Sequence, residues 1–213
     1  MWSNRPGTVI VISGPSGSGK TSVVKALCDL NPTLVKSVSA TTRPPRLGEV
    51  NGRDYDFLSH AQFSDLVGRD AFLEWATYGE HCYGTLKSKV TAPVNAGKDV
   101  ILEIDVQGAM QLKRTPFRCV SIFVLPPSFA ILEQRLRERK TESEEELRRR
   151  LIAAQTELDY AKHYDYCVIN PENNVLEAAR QIQHIILAEH CRVDAQLLAF
   201  ITQEFSGKNS HEP

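Results

Sequence analysis

The sequence predicts an α/β fold with a parallel-sheet core and helices on both faces. Three observations carry this expectation. The stretch "TVIVISGPSGSGKTSVVKAL" passes from an apolar, β-branched run through a glycine-rich turn into a helical pattern, which makes one strand–loop–helix unit. Short apolar runs then alternate with helically spaced segments along the chain. A length of 213 residues is enough for one domain with a substantial core and a small inserted lobe.

Taken in order, Thr8 to Ile12 reads as a buried strand, and Ser22 to Leu30 as a helix with Val23, Val24, Leu27 and Leu30 on one stripe. "VKSVSATTRPPRLGEVNGRDYDFL" is polar and turn-rich, with two strand-like pieces. "SHAQFSDLVGRD" predicts a short helix, and "AFLEWATYGEHCYGT" is aromatic and strand-like. "KDVILEID" and "CVSIFVL" predict two further core strands. Ser128 caps a helix to Arg139, and Ser143 with Glu146 forms a capping box for a helix running to about Tyr164. "YCVIN" is the last strand. From Asn174 onward Val175, Ala178, Ile182, Ile185, Leu197 and Ile201 keep roughly helical spacing, and "SGKNSHEP" reads as a frayed tail.

The net charge of −1 supplies no global field to recruit nucleic acid or an anionic membrane. Cys28, Cys82, Cys119, Cys167 and Cys191 stand far apart with no C-x-x-C, which argues against a zinc site or a disulfide framework. This usage fits a reducing, cytoplasmic setting. No apolar stretch approaches the length of a membrane span, and the N-terminus lacks a signal-peptide pattern.

The run Gly14, Pro15, Ser16, Gly17, Ser18, Gly19, Lys20, Thr21 has the pattern G-x-x-x-x-G-K-T. Its glycines let the backbone wrap a phosphate chain, and the helix behind it adds positive potential. Lys20 supplies a cation for the β/γ-phosphates, and Thr21 a hydroxyl for Mg²⁺. Such a loop serves motors, switches, pumps and kinases alike. "VILEIDVQG" ends in Asp105-x-x-Gly108, a pattern shared with guanine-nucleotide switches. The N-K-x-D or T-K-x-D stretch that such switches use to read guanine does not occur, so a GTP-binding switch stands only as an alternative.

The segment between the loop and Asp105 holds parts for a second, smaller ligand. Arg43 and Arg46 stand three apart in a proline-stiffened loop, and two guanidinium forks suit one dianionic phosphate. Tyr55 and Tyr83 add hydroxyls. Glu74 offers a carboxylate that can accept from guanine N1–H and its exocyclic amine, while Ser39 and Thr85 can donate to O6.

The order S-x-T-T-R-x-P-R-x-G-E-V-x-G-x-x-Y-x-F, then F-L-E, Y-G-T and [DE]-I-D-x-Q-G, resembles the guanylate kinase family from about Thr8 to about Leu187. The resemblance implies a P-loop nucleoside monophosphate kinase that moves phosphate from ATP to GMP with Mg²⁺. It implies a core at about 5–36, 98–128 and 160–190, a GMP-binding lobe at about 37–90, a lid at about 129–158, and a C-terminal helix and tail from about 188. By resemblance Ser39, Arg43, Arg46, Tyr55, Glu74, Tyr83, Thr85 and Asp105 fall on GMP-contacting positions, and Gly14 to Thr21 on the ATP loop. Arg135 and Asn170 fall on ATP-side positions. Lys20, Arg43, Arg139 and Arg150 fall on those that act in transfer. Mg²⁺ would sit at Thr21, and Asp105 would reach either GMP or a water on the ion.

The chain departs from the family pattern at three places: His81-Cys82 for N-Y, Glu138-Arg139-Lys140 for G-R-G, and Pro171-Glu172 for an acidic pair. Losing two glycines stiffens the lid hinge. Some members of the family are protein-binding modules without catalysis, a further alternative, but those generally lack the intact loop present here. The implied partners are ATP, GMP or dGMP, and a second copy through the C-terminal helix, with no nucleic acid or membrane.

Overall fold

The computed structural model describes residues 6–138 and 144–205. Strand β1 (Val9–Ser13) is buried throughout and lies at the centre of a five-stranded parallel sheet. Its neighbours are β7 (Val100–Glu103) and β8 (Cys119–Leu125), with Val9 level with both Val100 and Cys119. Strands β2 (Val35–Lys36) and β9 (Tyr166–Ile169) complete the order β2-β7-β1-β8-β9. A strand paired on both edges and covered on both faces takes apolar residues at every position, which is why "VIVIS" shows no alternation. Ile10 and Ile12 pack toward α1 (Lys20–Leu30) and α7 (Val175–His190), against Val23, Leu27, Ile182 and Ile186. Val9 and Val11 face the other way, toward α3 (Lys87–Asn95) and α4 (Val106–Leu112), against Val90, Val94, Ala109 and Leu112.

A second sheet has the order β4-β3-β6-β5, from β3 (Ala40–Thr41), β4 (Asp56–Phe57), β5 (Phe72–Tyr78) and β6 (His81–Leu86). Helix α2 (His60–Gly68), opened by a Ser59–Gln62 capping box, lays Phe63 on Phe72 with ring centroids 4.5 Å apart. Strict alternation would put Phe72 and Glu74 on one face. A register shift between them breaks the alternation: Phe72 pairs with Leu86 and Glu74 with the adjacent Thr85. Phe72 and Trp75 therefore both meet Phe63, whereas Glu74 turns to the opposite face. The extra residue, Leu73, packs against the main core beside α4. Gly84 lies under this arrangement, where a Cβ would come within 2.8 Å of the Phe72 ring and 2.9 Å of Trp75.

Helices α5 (Phe129–Arg137) and α6 (Glu144–Leu158) pair through Leu132, Leu136, Leu147 and Ala154. Ser128 caps α5 as expected, accepting the Ile131 amide at 3.2 Å, while Ser143 lies outside the described residues. The expected helix to Tyr164 stops at Leu158 and tightens into a 3₁₀ turn, Asp159–His163. Tyr164 then packs its ring 4.9 Å from that of Phe123, drawing the chain onto the sheet. The helical spacing after Asn174 likewise resolves into two helices, α7 and α8 (Ala195–Phe205). Arg118 fixes the break between them by holding Asp194 at 2.9 Å, and Asp194 caps α8 by accepting the Leu197 amide. Helices α3 and α4 carry no side-chain pattern strong enough to predict them; α3 even contains Pro93 and has no side-chain cap. The polar stretch after α1 yields three short strands rather than two, the first of them belonging to the main sheet. Among the described residues no helix is long and apolar enough to cross a membrane.

The turn out of β1 is the tightest backbone approach bearing on function. Gly14 has φ +143°, and a Cβ there would stand 2.2 Å from the Val124 carbonyl oxygen of β8. Backbone cannot swing aside as a side chain does, so Gly14→Ala is expected to destabilise by about 2 kcal/mol or more. A urea midpoint equal to that of the parent protein would contradict this.

Candidate active site

The phosphate loop leaves β1 at Gly14 and enters α1 at Lys20. Gly17 (φ +87°) and Gly19 (φ +84°) hold left-handed backbone that other residues resist. Lys20 folds back over the loop, its Nζ donating to the carbonyls of Gly14 (2.5 Å) and Pro15 (3.0 Å). Two residues from other elements buttress the far side. Asn170, at the end of β9, donates from Nδ2 to the Ser18 carbonyl at 2.8 Å, and Arg135 of α5 reaches the same oxygen at 3.3 Å. A Cβ on Gly19 would strike that Asn170 nitrogen at 2.3 Å. Beside them opens a cleft of about 450 Å³, lined by Gly17, Gly19, Arg135, Asn170 and Asn174 among others. Asn170 keeps its Oδ1 buried and without a hydrogen-bond partner.

A second cluster of polar side chains forms on the face of the small sheet to which the β5 register shift turns Glu74. Glu74 and Thr85 are register partners, and Tyr83 follows on the same side. The Tyr55 ring lies 6.2 Å from Tyr83, and Arg43 stacks 5.3 Å from the Tyr55 centroid. Glu74 is 4 % exposed; its Oε1 and the Thr85 Oγ1 are both buried without a hydrogen-bond partner. Burial, with the nearby Asp105 charge adding to it, pushes the Glu74 carboxyl up to about 7. Gly108 of α4 makes room for it, since a Cβ there would meet Glu74 Oε2 at 2.3 Å.

Three acidic residues that the sequence did not single out complete the surroundings. Glu49 takes both arms of the Arg43 guanidinium at 2.9 Å and accepts the Arg46 amide at 2.7 Å. The Arg43 fork, then the Arg46 amide, hold its carboxyl below the usual range. Glu103, at the end of β7, accepts the Thr21 hydroxyl at 2.5 Å and pairs with Lys36 at 3.0 Å. Glu157 of α6 accepts the Ser16 amide at 3.2 Å. Glu49 and Glu103 stand inside the quoted motifs, so position alone offered a signal; nothing in the sequence marks Glu157 apart from its charged helix.

The remaining expected site residues distribute as follows. Asp105 caps α4, accepting the Gly108 amide at 2.8 Å, a structural duty that also accounts for its D-x-x-G spacing. Ser39 is half-buried just ahead of β3. Arg46 is exposed, in contrast to the buried Arg43. Arg150 is half-buried on α6, and Arg139 lies outside the described residues. As a setting for Mg²⁺, the Thr21 hydroxyl with the Glu103 and Asp105 carboxylates is a hard-oxygen donor set of the kind that ion takes. Among the described residues no group of three or more His, Cys, Asp or Glu is built to hold a metal alone, so substrate phosphates would supply the other ligands.

A parallel sheet that ends in a phosphate loop, with a small adjoining sheet carrying a second cluster of polar side chains, is the design of a P-loop nucleoside monophosphate kinase. The chain belongs to the guanylate kinase family, whose model matches residues 6–189. It is 48 % identical over 194 residues to the guanylate kinase of Caldanaerobacter subterraneus subsp. tengcongensis, covering 91 % of this chain and 93 % of that one. The guanylate kinase of Rickettsia felis is 45 % identical over 189 residues, 89 % of this chain and 97 % of its own. The crystal structure of guanylate kinase from Anaplasma phagocytophilum superposes with a TM-score of 0.78 at 29 % identity, covering 97 % of this chain and 99 % of that one.

Two outcomes follow from the Glu74 pocket. Gly108→Ala is expected to displace the Glu74 carboxyl while leaving the phosphate loop intact, raising KM for the acceptor about tenfold or more with KM for ATP little changed. Equal effects on both substrates would contradict this. The second concerns pH. Below about pH 4.5 Glu74 is protonated in both folded and unfolded chains. Between about 4.5 and about 7 the unfolded chain ionises while the folded one keeps its proton, so stability falls as pH rises. The loss amounts to about 3 kcal/mol by pH 8. Glu74→Gln removes this slope, and urea titrations of both proteins from pH 4.5 to 8 measure it.

Proposed function

We propose that the chain carries out Mg²⁺-dependent transfer of the γ-phosphate of ATP to GMP, giving ADP and GDP, and so serves purine nucleotide supply and GMP recycling. One observation carries the choice of acceptor: the buried Glu74 with its unpartnered Oε1, beside the unpartnered Thr85 hydroxyl. Guanine presents N1–H and an amine as adjacent donors with O6 alongside, which supplies donors to the carboxylate and an acceptor to the hydroxyl. Adenine presents a bare N1 lone pair there. Donor contacts favour the ionised acid, so guanine binding draws the Glu74 proton off. Arg43, Arg46, Tyr55 and Tyr83 receive the GMP phosphate, for which the Arg43 fork exchanges Glu49. Ser39 adds a hydroxyl near the base, and Asp105 lies behind Glu74 through Gly108.

On the donor side Gly14 to Thr21 wrap the triphosphate, and Lys20 turns from its carbonyls to the β/γ-phosphates. Asn170 and Arg135 flank the cleft suited to adenine, with the buried Asn170 Oδ1 lacking a hydrogen-bond partner, which an exocyclic amine would supply. Thr21, with Glu103 and Asp105 at the same rim, would hold Mg²⁺, which would supply positive charge to the ATP phosphates. In transfer, a GMP phosphate oxygen forms the bond to the γ-phosphorus. The bond to the β–γ bridging oxygen breaks, and its electron pair leaves on ADP. Arg139 and Arg150, from the lid at about 129–158, spread positive charge over the moving group. Closure keeps water from competing as acceptor. We assign the small sheet to a GMP-binding lobe at about 37–90 and the main sheet to the core. We place the protein in the cytoplasm, assign dGMP as a second acceptor, and assign α8, with Leu198, Ile201 and Phe205 exposed, as the contact with a second copy.

A coupled assay with ATP and each of GMP, AMP, UMP and CMP tests this reading. GMP is expected to exceed AMP by roughly 10⁴ in kcat/KM. Glu74→Gln turns one acceptor into a donor and is expected to lower kcat/KM for GMP about a hundredfold, with KM for ATP little changed. A variant within threefold of the parent protein on GMP would return Glu74 to a structural role.

A further inference from the structure

Glu157 is a carboxylate that neither the loop motif nor the acceptor pocket requires. It sits in the last turn of α6 and accepts the Ser16 amide from the phosphate loop at 3.2 Å. The charged and titratable groups facing it come from three directions: Lys20 of α1, Asp105 at the cap of α4, and Tyr164 after the 3₁₀ turn. Burial raises its pKa, Lys20 opposes that rise, and Asp105 adds to it. Two more polar atoms in the same region, Ser13 Oγ and Tyr164 Oη, are buried without a hydrogen-bond partner. The place is therefore polar, partly dry and directly behind the loop. There a charge acts more strongly than at the surface.

Backbone amides and the lysine are the loop's positive groups, and they exist to attract phosphate. Here another helix addresses one of those amides, and the field of that lysine, with a negative charge. We propose that Glu157 is a positioning residue of the donor site: it holds Ser16 from α6 and sets a negative charge against Lys20, so that the loop grips nucleotide phosphate less tightly than its amides and lysine otherwise would. This rests on the donor-site reading above. The physical advantage lies in turnover. Grip common to ATP and ADP is uniform binding, which adds nothing to kcat at saturation and delays release of the product. A carboxylate against Lys20 trims that shared grip while the Ser16 contact keeps the loop in shape.

The test is calorimetric titration of ADP into the full chain, with steady-state kinetics alongside. Glu157→Gln keeps an acceptor for Ser16 and loses the charge; it is expected to bind ADP about tenfold more tightly and to lower KM for ATP, with KM for GMP unchanged. Glu157→Asp keeps the charge and stays within about threefold of the parent protein. Glu157→Met, a second neutral side chain of similar length, is expected to tighten ADP as well and serves if the glutamine variant fails to fold. Neutral variants with unchanged ADP affinity overturn the proposal, as does equal tightening by glutamine and aspartate, which would point to packing rather than charge. A parent protein with no affinity for ADP overturns the donor-site reading itself; normal ADP binding that the neutral variants leave unchanged overturns this proposal alone.

Discussion

The site is organised by the complete enclosure of β1. With β7 and β8 on its edges and helices on both faces, this strand has no freedom to shift, and its C-terminal end is the one direction in which polar groups can emerge. The phosphate loop leaves from that end. Glu103 and Asp105 follow the parallel neighbour β7 to the same level. Parallel pairing thus gathers one loop and two carboxylates at a single rim, where the Thr21 hydroxyl donates to Glu103. The Gly14 approach to Val124 then fixes the loop's point of departure against β8.

The site's acids differ in role because their surroundings differ. Glu49 is ionised, held by a guanidinium and a backbone amide. Burial, with a like charge at Asp105, pushes Glu74 up to about 7 against the opposing pull of Thr85. Glu157 lies between, pulled one way by burial and the other by Lys20. The Glu74 arrangement, like that of Glu157, carries a cost in folding stability, because burial disfavours the charged form of each acid. Function and stability are opposed there, as they usually are where a site holds hydrogen-bonding groups open.

Much of this was legible in the sequence for physical reasons. Gly14, Gly17 and Gly19 announce a loop because few other residues reach the φ values they hold. The central strands β1 and β8 are continuous, largely apolar runs, the signature of burial on both faces. Residues whose meaning depends on tertiary pairing were harder. The register shift at Phe72–Glu74 leaves no local mark, yet it decides which face Glu74 occupies. Glu157 looks like any acid on a charged helix until α6 is laid against the loop. Asn170 was expected on the ATP side; its amide nitrogen braces the Ser18 carbonyl, a long-range contact that no spacing rule reveals. Helix α4 was hidden because its seven residues make too short a period to read.

The extra residue in β5 has a mechanical meaning. Leu73 is set into the main core, and next to it the Trp75 backbone is clamped by Gln111 of α4, which donates to its carbonyl at 2.7 Å and accepts its amide at 3.2 Å. Glu74 lies between these two fastenings. The joint between the sheets is therefore a fulcrum, with the Glu74 carboxyl almost on the axis. Arg43 and Tyr83 sit farther out along the lever arm. Any rotation of the small sheet about this joint would sweep the Arg43 guanidinium through a longer arc than the Glu74 carboxyl.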